Sequence, residues 1–455
     1  MKNHHERLRT EKIPQLLFKQ SLPAIIGLVM MSLYNLVDTI FIGQSVGTIG
    51  IAALTIAFPI NMIIISISQT IGIGASSIIS RSLGSNDKKT AEKTLGNFFS
   101  INLILGVSIT ILGIIFLQPL LKIFGATDSI LPYASEYMKI ILYGTVFLCF
   151  TVASSNVIRA EGNAKLAMYI MLLSTIVNII LDPILIFGFD MGIKGAAIAT
   201  VIAQIMSGLL AMYYFIGGKS SIDIHTKNLI LKWRTIKSIF TIGSASLARQ
   251  SAGSLVQAIL NHSLGFYGGD LAIAAFGVIN RILMIVFMPM FGLLQGMQPI
   301  LGFNYGARQP KRAKEVVLYT LKAVTIFATI AFTLLMIFIG PISKVFSSDL
   351  ELINLTKHAT RIVILALPLI GFQVIASGIY QSLGKAGKAL ITSILRQLVF
   401  LIPIILILPR YIGLDGIFYA MPIADLSAAI IIAVMLYKQI KRFDPKPTSS
   451  SLPSH

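Results

Sequence analysis

Long apolar runs fill the chain, broken by short polar and basic segments. A membrane-spanning helix needs about 20 apolar residues, because the hydrocarbon slab is about 30 Å thick and a helix rises about 1.5 Å per residue. Twelve stretches meet that length: 17–42, 53–80, 95–118, 131–157, 166–188 and 193–216, then 235–265, 272–302, 315–340, 356–382, 388–409 and 415–437. The runs are continuous and do not alternate over about ten residues, so they predict helices and exclude a transmembrane β-barrel. The widest interior break, 217–234, predicts an inter-lobe linker. It divides a first six-helix lobe (1–216) from a second (235–441), and the polar tail 442–455 reads as disordered.

Composition agrees with this pattern. The chain is 55% apolar and 12% charged, with a mean hydropathy of +0.83, whereas soluble domains carry roughly a quarter charged residues. The net charge of +19 is an orientation signal. The termini and even-numbered connections hold 26 Lys and Arg, the odd-numbered connections 7. Basic loops stay cytoplasmic, so both termini and the linker are expected on that side, and the basic excess calls for no nucleic-acid partner. The first apolar run is longer than a signal peptide's core of about 7–15 residues, which predicts an uncleaved first span. One cysteine, Cys149, excludes an internal disulfide framework and any multi-cysteine metal site.

An offset of 222 residues superimposes the two halves. Gly43, Gly47, Ile51, Ala52 and Ala53 match Gly265, Gly269, Ile273, Ala274 and Ala275. Gly74, Gly84, Pro119 and Gly162 match Gly296, Gly306, Pro341 and Gly384, and with one residue dropped Gly192 and Gly195 match Gly413 and Gly416. Each half holds an even number of spans, so the lobes are expected as parallel repeats about an axis along the membrane normal. A V-shaped cleft would lie at their interface.

An ionisable group deep in the slab costs at least about 2.5–3.5 kcal/mol and needs a partner or a purpose. Counted from the outer span ends, Asp38 and Asp182 lie about 8–9 Å down. Thr200 falls at a similar depth, and Asn178 is one turn below Asp182. No Lys or Arg of the first lobe sits there. These four predict a cation or proton site, with Na⁺ one candidate; the alternative is that each Asp merely bonds neighbours such as Asn35 or Tyr34. The second lobe buries Arg249, Arg281, Arg396 and Asp425. Heights of Arg396 and Asp425 predict a structural ion pair, while Arg249 and Arg281 lack an acidic partner. Asn35, Tyr34, Arg249, Gln257, Asn261, Arg281, Gln295 and Gln373 are the candidates for lining a substrate cleft.

No P-loop is present, so transport would draw on an ion gradient or membrane potential. Two intramembrane Asp residues also raise an aspartyl protease, but neither follows a Gly-x-Gly context, and no enzyme is expected. A flippase for a lipid-linked precursor is the other alternative, favoured by the two arginines.

Taken together, Tyr34-Asn35-Leu36-Val37-Asp38-Thr39-Ile40-Phe41-Ile42-Gly43, Asn178-Ile179-Ile180-Leu181-Asp182-Pro183 and Gly192-x-x-Gly195-Ala196-Ala197 resemble the multidrug and toxic compound extrusion (MATE) transporters. Arg159-Ala160-x-Gly162-Asn163, Gln298-Pro299 and Gly302-Phe303-Asn304-Tyr305-Gly306-Ala307 extend that resemblance over nearly the whole chain, and it points to the prokaryotic MepA-like branch. The resemblance implies two six-helix bundles and a prokaryotic inner-membrane protein working as a monomer without cofactor. It also implies Na⁺- or H⁺-coupled export of amphipathic, often cationic drugs, with a first-lobe cation site at the residues matching Asp38, Asn178, Asp182 and Thr200. Some relatives carry acidic residues in spans 7 and 10; this chain has Arg249, Gln250 and Gln373 there, so no second-lobe ion site is expected.

Overall fold

The structure, a computed structural model, describes residues 4–346 and 349–444, with the side chains of residues 4, 5, 35 and 36 outside the description. Most of the tail expected to be disordered, 445–455, therefore lies outside the described residues. Among those described, every regular element is helical.

Eleven helices are long and apolar enough to cross a membrane. The first six are α1 (Ile13–Val46), α2 (Thr48–Gly84), α3 (Lys88–Ile115), α4 (Leu131–Ala160), α5 (Ala164–Pro183) and α6 (Gly192–Ile216). A single 74-residue helix, Trp233–Gly306, follows and breaks at Gly269, where φ is +63°. It supplies two spans, α7 (233–268) and α8 (270–306). The set closes with α9 (Pro310–Phe346), α10 (Leu350–Ser382), α11 (Ala386–Ile412) and α12 (Leu414–Lys441). Twelve spans result, six in each lobe.

The duplication is visible in the backbone. Gly47 turns α1 into α2 at φ +75°, and Gly269, 222 residues on, turns α7 into α8. Left-handed geometry of this kind is open to glycine at little cost. The same offset relates Gly162 (φ +89°) to Gly384 (φ +70°), and Asn86 (φ +58°) to Arg308 (φ +54°). Two first-lobe helix starts carry side-chain caps. Asp87 accepts the Thr90 N–H ahead of α3, and Asn163 accepts the Leu166 N–H ahead of α5.

Packing gives the molecule its V shape. Near the termini one apolar core joins both lobes, running from Leu8 and Leu16 through Ile79 and Phe98 to Met297, Ile300 and Leu436. Towards the far end it divides. Ala53, Ile60, Met138 and Ile193 form a core within the first lobe, and Leu260, Phe276, Phe418 and Met421 form one within the second.

Glycines let the lobes meet at the terminal end. A Cβ on Gly84 would fall 2.0 Å from the Phe303 carbonyl oxygen, and one on Gly306 would fall 2.0 Å from that of Arg81. These two contacts are related by the 222-residue offset, as a two-fold axis between the lobes requires. Around them the Ser77 hydroxyl donates to the Gln381 carbonyl, and the Asn304 amide donates to the Leu8 carbonyl at 3.1 Å. Further from the termini, Ser32 Oγ donates to Met288 Sδ at 3.6 Å across the two lobes.

On the outer faces, Ile326, Ile330, Leu334 and Ile337 make an exposed apolar stripe along α9. In water such a stripe would be a liability; against lipid it is the expected surface. The connection between the lobes is held down. Asn97 of α3 donates to the Asn228 and Ile230 carbonyls (3.1 and 3.3 Å) and accepts the Lys232 N–H at 2.7 Å.

Candidate functional site

The first lobe encloses a cavity of about 320 Å³ walled by α1, α2, α4, α5 and α6, with Gln295 of α8 closing one end. The far-end wall carries Asp38, Asn178 and Thr200, and Asp182 lies directly behind Asn178. Asp182 stands beside Pro183, where α5 widens into the π-turn Ile184–Gly188, a distortion that recurs at functional sites. Asn178 holds the group together. Its amide donates to Asp182 Oδ1 and to Thr200 Oγ1, both at 3.2 Å.

The four oxygen-bearing side chains predicted from depth are thus neighbours, and all are buried. Asp38 Oδ1, Asp182 Oδ2 and Asn178 Oδ1 have no hydrogen-bond partner among the described residues. Neither carboxylate forms an ion pair there. The two carboxylates feel one another electrostatically, and Tyr34 and Tyr137 lie within the same field. A cluster of acceptor oxygens with two acids and no counter-charge can take up a hard cation or share protons. Tyr137 carries no formal charge, so a count of ionised groups by depth misses it. It lies six residues into α4, the depth of Asp182, and a count of all polar groups would find it.

The candidate cleft residues scatter. Tyr34 and Gln295 line the first-lobe cavity, at its acidic and terminal ends respectively; the Asn35 side chain lies outside the described residues. Gln257 and Asn261 are hydrogen-bonded to each other at 3.0 Å on α7, and Asn280 reaches Gln257 at 3.4 Å. Gln257 and Asn280 line a separate second-lobe cavity of about 210 Å³.

Gln373 donates to the Asp425 carbonyl at 3.0 Å. The predicted Arg396–Asp425 ion pair is present, with Asp425 buried. Arg249 is half-buried over the Phe291 ring, and its Nη1 has no partner among the described residues.

Arg281, expected to be buried, is exposed. Val278, Ile279, Ile282 and Val286 carry the packed face of α8, and a helix turns 281 away from that face. A count along the sequence gives depth but not this facing.

Comparison with known proteins agrees with the architecture. The MatE family profile matches the chain twice, over residues 23–184 and 246–407. The chain is 29% identical to the FAD transporter of Shewanella oneidensis over 440 residues, covering 94% of this chain and 95% of that one. It is 28% identical to the multidrug export protein MepA of Staphylococcus aureus, covering 92% of each. A solved structure of the MATE multidrug transporter DinF-BH is 44% identical, with a TM-score of 0.89, and the match covers 96% of this chain and 98% of that one. The chain belongs to the MatE family, the multidrug and toxic compound extrusion transporters, and is a membrane carrier, not an enzyme.

Proposed function

We propose that the protein is a cation-coupled antiporter that exports amphipathic small molecules by alternating access, with Asp38, Asn178, Asp182 and Thr200 as the site for the coupling ion. One observation carries this reading: two buried carboxylates without a basic partner among the described residues stand together, Asp38 on the wall of a cavity of drug-like size and Asp182 just behind it, held by Asn178. Na⁺ or H⁺ is the ion, drawn in as a transported species; no cofactor takes part. With the lobes sealed near the termini and separate cores at the far end, the cleft between the lobes opens to the far side. The basic connections support a reading in which that side is outside the cell and both termini and the 217–234 linker are cytoplasmic, and the bacterial relatives support a prokaryotic inner membrane.

Ion uptake at Asp38 and Asp182 neutralises the acidic wall and loosens a basic cargo. The ion-free lobe then favours cargo again. The protein works on small molecules within the bilayer, as a monomer. The relatives named for FAD and for multidrug export support carriage of organic solutes and leave cargo charge to be read from this chain's own cavity.

The decisive experiment is dye transport by everted vesicles with Na⁺ and pH gradients imposed separately. One gradient is expected to drive uptake, and Asp38→Asn or Asp182→Asn to cut the driven rate at least tenfold. Driven transport at the wild-type rate in both variants would refute the coupling site.

A further inference from the structure

The acidic wall accounts for one end of the first-lobe cavity. The other end holds Arg159, 5% exposed, on the last turn of α4. Its Nη2 donates to Asn156 Oδ1 at 3.2 Å, and its Nη1 is buried with no hydrogen-bond partner among the described residues. Asn156 is itself fixed, donating to Gln69 Oε1 at 3.1 Å. That bond aims its carbonyl oxygen at the guanidinium.

The nearest acid in sequence, Glu161, is engaged elsewhere. It accepts from the Tyr214 and Ser220 hydroxyls and from the Ser221 N–H. A guanidinium offers five planar donors and suits a bidentate oxyanion. A buried charge without an anion is costly, and here none is supplied by the described residues.

We propose that Arg159 is an anion-binding subsite at the terminal end of this cavity. Its cargo would be an amphipathic molecule with a carboxylate, phosphate or sulfonate at one end and a neutral or basic group at the other. The inference rests on reading this cavity as the cargo site.

Dimensions fit such a molecule. Counting helical rise from the turn at Asn163 along α4 and α5 separates Arg159 from Asn178 by about 16 Å. Met62, Ile65, Leu148 and Val152 line the stretch between, giving an apolar body its contact. Gln295 adds a buried amide oxygen without a partner at the Arg159 end, suited to a hydroxyl or amine beside the anion.

The test uses a rhodamine ethyl ester dye and its free acid, which differ in one anionic group. Binding of each to the purified full-length protein is measured by fluorescence polarisation. The wild type should bind the acid at least as tightly as the ester. In Arg159→Gln the preference for acid over ester should fall about tenfold or more, the worth of a charge-assisted hydrogen bond, and Arg159→Lys should keep most of it.

Asn156→Asp places a carboxylate where the 3.2 Å partner now is and should weaken the acid similarly, a second readout should Arg159→Gln fail to fold. A wild type that binds the ester tenfold more tightly than the acid would overturn the proposal. So would an acid-to-ester ratio that Arg159→Gln and Asn156→Asp leave unchanged. Efflux separates this from the coupling reading. Ester driven by a gradient with an unmoved ratio sinks the subsite alone, whereas a shifted ratio with no gradient-driven transport sinks the coupling alone.

Discussion

Gly306→Ala tests the terminal-end seal. The added methyl would lie 2.0 Å from the Arg81 carbonyl oxygen, well inside an ordinary carbon–oxygen contact. Both partners are helix backbone, so the overlap is relieved only by moving the lobes apart. Overpacking of this kind costs about 1–3 kcal/mol, and rigid partners put the cost in the upper half of that range. Helix propensity favours Ala over Gly by up to about 1 kcal/mol, but it does so with the seal closed or open and cancels from the gate equilibrium.

The open-seal population should therefore rise about 30- to 150-fold. Ser77, buried in the seal against Gln381, can report it. A Ser77→Cys probe in a Cys149→Ala background, which removes the single native cysteine, should react with a small thiol reagent at a rate that follows that population. Gly84→Ala, the symmetry-equivalent change, should act alike, and Gly277→Ala, whose added Cβ would meet nothing within 4 Å beyond its own stretch of helix, should not. Labelling in Gly306→Ala at nearly the parent rate would refute the view that these glycines set the closed contact.

Other outcomes follow from single side chains. Arg396→Met leaves Asp425 buried and unpaired and should lower stability by about 3–5 kcal/mol; adding Asp425→Leu should recover most of it, as read by thermal denaturation in detergent. Burial pushes Glu161, at the turn after α4, up from its ordinary 4.5 to about 7. A carboxyl raised in the fold stabilises most when protonated in both states, so its contribution is fully present below about 4.5 and is lost as pH rises through about 7. The loss is on the order of 3 kcal/mol. Apparent melting temperature should fall over that window, and Glu161→Gln should flatten the fall; an identical slope in the variant would refute the assignment.

Much of this fold is legible in the chain because the bilayer imposes length and polarity so strictly. Span positions, the 222-residue repeat and the neighbourhood of Asp38, Asn178, Asp182 and Thr200 all come from counting along helices of fixed rise. Facing is harder to read. Arg281 reads as buried because its span is apolar, yet α8 turns that residue outward. Tyr137 has no formal charge to mark it.

The left-handed pair Asn86 and Arg308 has no glycine to mark it, and only coordinates reveal that the repeat extends to those turns. Arg159 is visible as part of a family signature, while its unpartnered nitrogen depends on how Asn156, Gln69 and Glu161 spend their own hydrogen bonds. No spacing rule encodes that competition.

The three hydrogen bonds through Asn97 bear on how the lobes move. They moor the inter-lobe segment to α3 as far as Lys232, and the helix containing α7 begins at the next residue. The covalent tether thus has almost no slack of its own. A rocking stroke must be absorbed by bending within helices or by sliding at the glycine seam, and the segment rides with the first lobe as a passenger rather than serving as the pivot.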